Sequence, residues 1–240
     1  MQGPAKPEKP ANTLPAARSV LAVCAHPDDE TFGLGATLHA FAARGTSVSL
    51  LCFTHGEAST LGASEGPLGE IRRRELDAAA AELGIHRVEL FDYADGTLNA
   101  VPLDRLSGDV AHLAHIVNAD LLVVFDKGGI TGHPDHCRAT EAALASDRDL
   151  PVLAWCVPRA AAERLYAEFG VQFTGRDDAE IDFVLPVDRK VQWRAIAQHA
   201  SQSTHNPVLE RRLELHGDRE VLRWLRAPNA PRELRGSARA

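Results

Sequence analysis

Short apolar runs and helical spacings alternate along this chain. Short, nearly continuous apolar runs at residues 19–25, 48–53, 88–91, 121–125 and 152–157 predict strands, and a sixth is expected at 181–185. Between them, apolar residues recur every three or four positions. That spacing predicts helices over 32–44, 70–83, 103–117 and 135–144, with two more near 188–200 and 208–225. Gly45 and Gly84 stand where the first two should stop. Alternating β and α units predict an α/β protein. The expected form is a Rossmann-like three-layer fold with a mostly parallel central sheet and helices on both faces. The strands' nearly continuous apolarity agrees, because central parallel strands are covered on both sides. In such sheets ligands gather outside the carboxyl ends of the strands, so the chemistry is expected just after each one.

The 240 residues suit one domain, expected over 19–231. Residues 1–18 hold four prolines and little to bury, which predicts a flexible tail, and 232–240 read as a frayed end. A net charge of −7 gives no basic footprint for nucleic acid, and 5% aromatics give no stacking platform. No apolar run approaches the roughly 20 residues of a membrane span. Cys24, Cys52, Cys137 and Cys156 form no Cys-x-x-Cys pair, so neither a disulfide framework nor a zinc ribbon is expected. With no apolar leader-like stretch near the start, the expected address is a reducing cytoplasm. Nothing in the sequence sets an oligomeric state.

The segments that follow the first four strands all carry ionisable residues. The first is Ala25-His26-Pro27-Asp28-Asp29-Glu30, and the fourth ends in Gly132-His133-Pro134-Asp135-His136. One such segment is an ordinary turn with a helix-capping Asp. Two at the same sheet edge point to a shared site. Pro27 keeps His26 extended, and the spacing from His26 to Asp29 lets both side chains converge. Three successive acids repel one another unless a cation lies nearby. His133 and His136 share the same spacing, so one can bind a metal while the other reaches toward substrate. A set of His26, Asp29 and His136 offers two imidazoles and one carboxylate, the open three-ligand pattern of a catalytic zinc. Asp28, adjacent but not a ligand, is placed to accept a proton from an activated water. His39, His55, His86, His112 and His115 lack such company, although His55 sits at the right edge to line a pocket.

Over residues 19–202 the chain resembles the PIG-L/LmbE-like zinc-dependent N-deacetylases, which remove acetyl from N-acetylglucosamine-type sugars. The two His-Pro-Asp segments carry the likeness. Thr54-x-Gly56-Glu57, Arg72-x-x-Glu75, Asp95-Gly96 and His199-x-x-Gln202 support it. The resemblance implies His26, Asp29 and His136 as ligands of one zinc ion per chain, and Asp28 as general base. Other divalent metals also suit such a ligand set. It further implies that His133 steadies the oxyanion or protonates the leaving amine, that Asp135 orients a histidine, and that Arg72 and Asp95 contact the sugar. Glu30 is expected to bond loop backbone. The expected partner is a small N-acetyl sugar. The loop 55–69, rich in glycine, is expected to act as a flap over it.

Three other readings stand beside this one. The same residues would serve an amidase acting on a mycothiol-type thiol conjugate, or a relative that binds sugar or metal without turnover. A dinucleotide-binding module is disfavoured, because Leu38 occupies the third glycine's place and Asp28, Asp29 and Glu30 would repel a pyrophosphate.

Overall fold

A computed structural model describes residues 10–61 and 66–228. In chain order the elements begin with β1 (Ser19–Cys24), α1 (Asp29–Phe32), α2 (Gly35–Ala42), β2 (Ser47–Thr54), α3 (Leu68–Leu83), β3 (Arg87–Tyr93), α4 (Leu103–Ile116) and β4 (Leu121–Phe125). A distorted turn, α5 (Gly129–Gly132), then leads into α6 (Pro134–Ser146), β5 (Val152–Trp155), β6 (Val157–Pro158), α7 (Arg159–Phe169) and β7 (Gly175–Arg176). The chain continues through β8 (Phe183–Pro186), α8 (Lys190–Gln198), α9 (Ala200–Ser203), α10 (Pro207–His216) and β9 (Arg219–Arg226).

Seven strands form the main sheet in the order β3-β2-β1-β4-β5-β9-β8. The first five run parallel, and β9 and β8 add an antiparallel edge. The three layers follow from the two-residue period of β1. Val20, Ala22 and Cys24 face α2 and α3 through Leu34, Leu38, Leu76 and Leu83. Leu21 and Val23 face α4 and α6 through Leu106, Val110, Ala139 and Ala143. Leu50 is fully buried in the first of these layers. Leu50→Ala is expected to cost about 2–5 kcal/mol with an unchanged denaturant slope, read by urea unfolding.

Several elements depart from the sequence pattern. The helix expected over 32–44 is two, and the first begins at Asp29. The strand expected over 152–157 breaks at Cys156, whose amide bonds the Val221 carbonyl while Val157 turns away to pair with Gly175. The helix expected over 208–225 ends at His216. Gly217 has φ +57°, and Arg219–Arg226 then runs as β9 between β5 and β8. Val221, Leu222, Trp224 and Leu225 suit either a helix or a strand; the glycine and the open edge of β5 decide. α7 was not legible, since its buried positions are the small Ala161 and Ala162 with a single Leu165. Within the tail expected over 1–18, Ala11 and Leu14 are docked. Ala11 bridges to β8, with its amide on the Asp182 carbonyl at 2.8 Å, and Leu14 is 7% exposed. An edge strand offers unpaired backbone groups, and Ala11 takes some of them. Residues 1–9 and the expected frayed end at 232–240 lie outside the described residues.

Candidate metal centre and active site

The strand order reverses at β1, which has β2 on one side and β4 on the other. Ligands of such sheets sit at that point. His26 to Asp29 follow β1, and His133 to His136 follow β4, so the two His-Pro-Asp segments face each other across it. Each is fixed locally. Asp29 Oδ2 accepts the amides of Ala25 and His26 at 3.0 Å each, which closes the first turn. In the second, Pro134 opens α6 at a position that needs no amide donor, and His133 Nδ1 caps the helix by accepting the Asp135 amide at 3.2 Å.

Three side chains meet. His26 Nδ1 and His136 Nε2 are 3.1 Å apart, His136 Nε2 and Asp29 Oδ1 are 3.1 Å apart, and His26 Nδ1 lies 3.9 Å from Asp29 Oδ2. Ligands of a tetrahedral zinc at about 2.0–2.1 Å stand about 3.3 Å from one another, and the two contacts at 3.1 Å come near that spacing. The imidazoles are already turned the right way. His136 Nδ1 faces the Gly129 carbonyl at 3.1 Å, and His26 Nε2 faces Asp95 Oδ1 at 3.0 Å and Asp135 Oδ2 at 3.3 Å. Each therefore has one nitrogen held by an acceptor and the other turned to the shared point, where a metal would take the place of any second proton. The ring nitrogens of His133 also lie within 4.8 Å of those of His26 and His136. Its Nδ1 is committed to the helix cap, which leaves Nε2 directed at the cavity.

Electrostatics follow the same pattern. Burial pulls the His26 imidazole down, but hydrogen bonds to Asp135 and Asp95 and the Asp29 charge raise it to about 10. Burial pushes Asp29 up, yet the His136 and His26 imidazoles hold it well below the usual carboxylate range. Burial lifts Asp28 to about 6 against the opposing charge of Arg72. Burial, with His136 and His26 nearby, depresses His133, so it is neutral at pH 7. Acids so densely grouped call for a cation, and a divalent ion at this cluster of imidazoles and carboxylates would supply one.

The surrounding residues take up definite tasks. Asp28 Oδ2 accepts from Arg72 at 2.8 Å, and Arg72 also donates to the carbonyls of Gly56 and Pro27. This guanidinium, 3% exposed, gives its hydrogen bonds to protein and also lines the cavity where the resemblance implies a sugar contact. Asp95 likewise faces His26, and its other oxygen accepts the Ala58 amide at 2.9 Å. Asp135 accepts the amides of Gly96 and Leu98 and so backs His26 firmly. Asp135→Ala is expected to weaken metal binding about 10–100-fold, measured by competition with a chromophoric chelator. Glu30 accepts the Asp28 amide at 2.9 Å and faces His199 Nε2 at 2.6 Å, both side chains being fully buried. Gln202 accepts from Ser59 Oγ at 2.7 Å and so ties the loop after β2 to α9. Residues 62–65 of the expected flap lie outside the described residues. His55 pairs with Asp92 at 2.8 Å and does not line the cavity.

A cavity of about 550 Å³ opens over the site, a size suited to a sugar with a substituent. Its lining includes residues that no motif marked, among them Trp155, Phe173 and Arg212. The available signal for Arg212 was an Arg on the stripe of Leu209, Leu213 and His216, which helical spacing buries.

Comparison with known proteins agrees with the two segments. The PIG-L family model, described as GlcNAc-PI de-N-acetylase, matches residues 21–146. A 1D-myo-inositol 2-acetamido-2-deoxy-alpha-D-glucopyranoside deacetylase of Thermobifida fusca is 32% identical over 62% of this chain and 61% of its own length. One of Acidothermus cellulolyticus with the same description is 32% identical over 77% of this chain and 80% of its own. The chain spans 61%, 52% and 50% of the length of three such curated relatives. Among solved structures, the N,N'-diacetylchitobiose deacetylase of Pyrococcus horikoshii matches with TM-score 0.66 and 20% identity, over 88% of this chain and 84% of that one. The zinc-inhibited form of a teicoplanin deacetylase matches at 0.65 and 18%, over 88% and 100%. The 4-carboxy-2-hydroxymuconate hydratase GalB, from Pseudomonas putida, matches at 0.63 and 19%, over 89% and 98%. These likenesses carry the fold, which hosts more than one reaction, so the chemistry rests on the site.

Proposed function

Because the chain belongs to the PIG-L family, we propose that it hydrolyses the N-acetyl group of an N-acetylglucosamine-type glycoside, with one zinc ion held by His26, Asp29 and His136. The observation that carries this reading is the convergence of His26 Nδ1, Asp29 and His136 Nε2, with Asp28 lining the same cavity. A zinc ion in that place supplies Lewis acidity to the acyl carbonyl and acidifies water near neutral pH.

The chain's own residues do the rest. Asp28, aimed by Arg72, takes a proton from the attacking water. His133, neutral and with its proton on Nε2, donates to the oxygen that gains negative charge, a contribution that in other enzymes is worth several kcal/mol. The C–N bond then breaks, the nitrogen takes the proton, and acetate and a primary amine are released. Asp135 and Asp95 keep His26 turned the right way throughout.

The test is zinc content together with primary-amine release from a panel of N-acetyl sugars. Suitable members are free N-acetylglucosamine, its inositol glycoside, N,N'-diacetylchitobiose and an antibiotic pseudoaglycone. Zinc near one per chain and amine release from at least one glycoside are expected. Metal-free protein that releases amine at full rate would overturn the reading.

A further inference from the structure

Part of the cavity lining is made by residues that the hydrolysis does not use. Phe32, Phe173, Val208 and Leu209 are among them, and so is Arg212 of α10. The Arg212 guanidinium lies 5.0 Å over the Trp155 ring, and the residue is only 5% exposed. Its hydrogen bond to protein runs from Nη2 to the Phe32 carbonyl, and it makes no ion pair among the described residues. Burial lowers it to about 10, with Glu220 and Asp28 opposing and Arg189 assisting, so it is charged at pH 7. Both carboxylates that sense it are engaged elsewhere. Glu220 accepts from the Trp155 indole and from Arg189, and Asp28 accepts from Arg72. A buried cation without an anion is costly, and its fork of donors suits a carboxylate or phosphate. Phe32 ends the turn that carries Asp29, so the guanidinium stands on a wall shared with the metal centre.

We propose that Arg212 recognises an anionic group, carboxylate or phosphate, on the aglycone of the N-acetylglucosaminide. This rests on the deacetylase reading above. The apolar walls exclude water and strengthen such a pair, and they suit a carbon-rich spacer between sugar and acid. Arg212 thus sets specificity and takes no part in bond breaking.

Three N-acetylglucosaminides test this: one with a carboxypropyl aglycone, one with a phosphopropyl aglycone, and the methyl ester of the first. The wild type is expected to show a KM at least about tenfold lower for an acid than for the ester, through the charged pair alone. The larger ratio among the two acids identifies the anion. Arg212→Met should bring the ratio of acid to ester close to one, and Arg212→Lys should keep part of it. Equal kcat/KM for acid and ester in the wild type would overturn the proposal while leaving the deacetylase standing, as would a wild-type ratio in Arg212→Met. If no glycoside is hydrolysed, calorimetry decides: preferential binding of the acid that Arg212→Met abolishes keeps the anion site and removes the deacetylase, and absence of preference removes both. Should Arg212→Met not fold, the wild-type ratio and Arg212→Lys carry the test.

Discussion

Replacing His136 by alanine is expected to empty the metal centre and abolish hydrolysis. Its Nε2 stands 3.1 Å from both His26 Nδ1 and Asp29 Oδ1, so it is the donor that closes the triangle. Two remaining ligands hold zinc far more weakly than three, and the metal's electrostatic contribution of several kcal/mol goes with it, about a 10³-fold loss or more. Folding should survive, because α6 is capped by His133 and started by Pro134, neither of which is altered. The check is zinc by atomic absorption after dialysis, with amine release before and after zinc is added back. Stripping the wild type with a chelator should give the same loss, reversed by zinc; the variant should stay inactive. A variant that keeps stoichiometric zinc and turnover would remove His136 from the ligand set.

Asp28→Asn is expected to keep its zinc and lose about 10²–10⁴-fold in kcat, the usual worth of a positioned general base. Asn has nearly the same shape, and its amide oxygen can still accept from Arg72, as the Asp28 carboxylate does at 2.8 Å. What disappears is the basic oxygen. A matched pair of measurements, metal content and single-turnover amine release, separates this effect from ligand loss. If kcat stayed within a few-fold of wild type, the base would have to be sought elsewhere.

Much of this site was legible because chemistry and register coincide. Parallel strands direct their carboxyl ends to one edge, so two His-Pro-Asp segments after the first and fourth strands had to meet once the order reversed at β1. Asp135 was expected to orient a histidine, and it lies 3.3 Å from His26. Arg72 and Asp95, which the resemblance sets against the sugar, line the cavity, and there one also aims Asp28 while the other faces His26. Spacing places a residue near a site but not which neighbour its side chain meets. The C-terminal third was least readable. β9 carries apolar pairs that fit either period, and the choice between helix and strand was made by a long-range partner, β5. Arg212, which gives the cavity a second chemical character, belongs to no motif. It becomes visible only when α10 is laid against Trp155.

The backbone of residue 28 has φ +103°, a region that aspartate visits reluctantly. Its carboxyl is also lifted from 3.8 to about 6, by burial first and then by Asp29 and Glu30 against Arg72. A carboxyl raised on folding lends its support to the native state in acid, and that support is lost as the pH climbs from about 4 through 6. At pH 7, then, conformation and charge both tax the metal-free chain at the spot where the reaction needs an anion. Asparagine tolerates left-handed geometry and brings no charge, so the inert Asp28→Asn protein should melt no lower than its parent when both are stripped of zinc. Selection for heat resistance alone would drift away from this aspartate, and its retention would be a signature of selection for turnover.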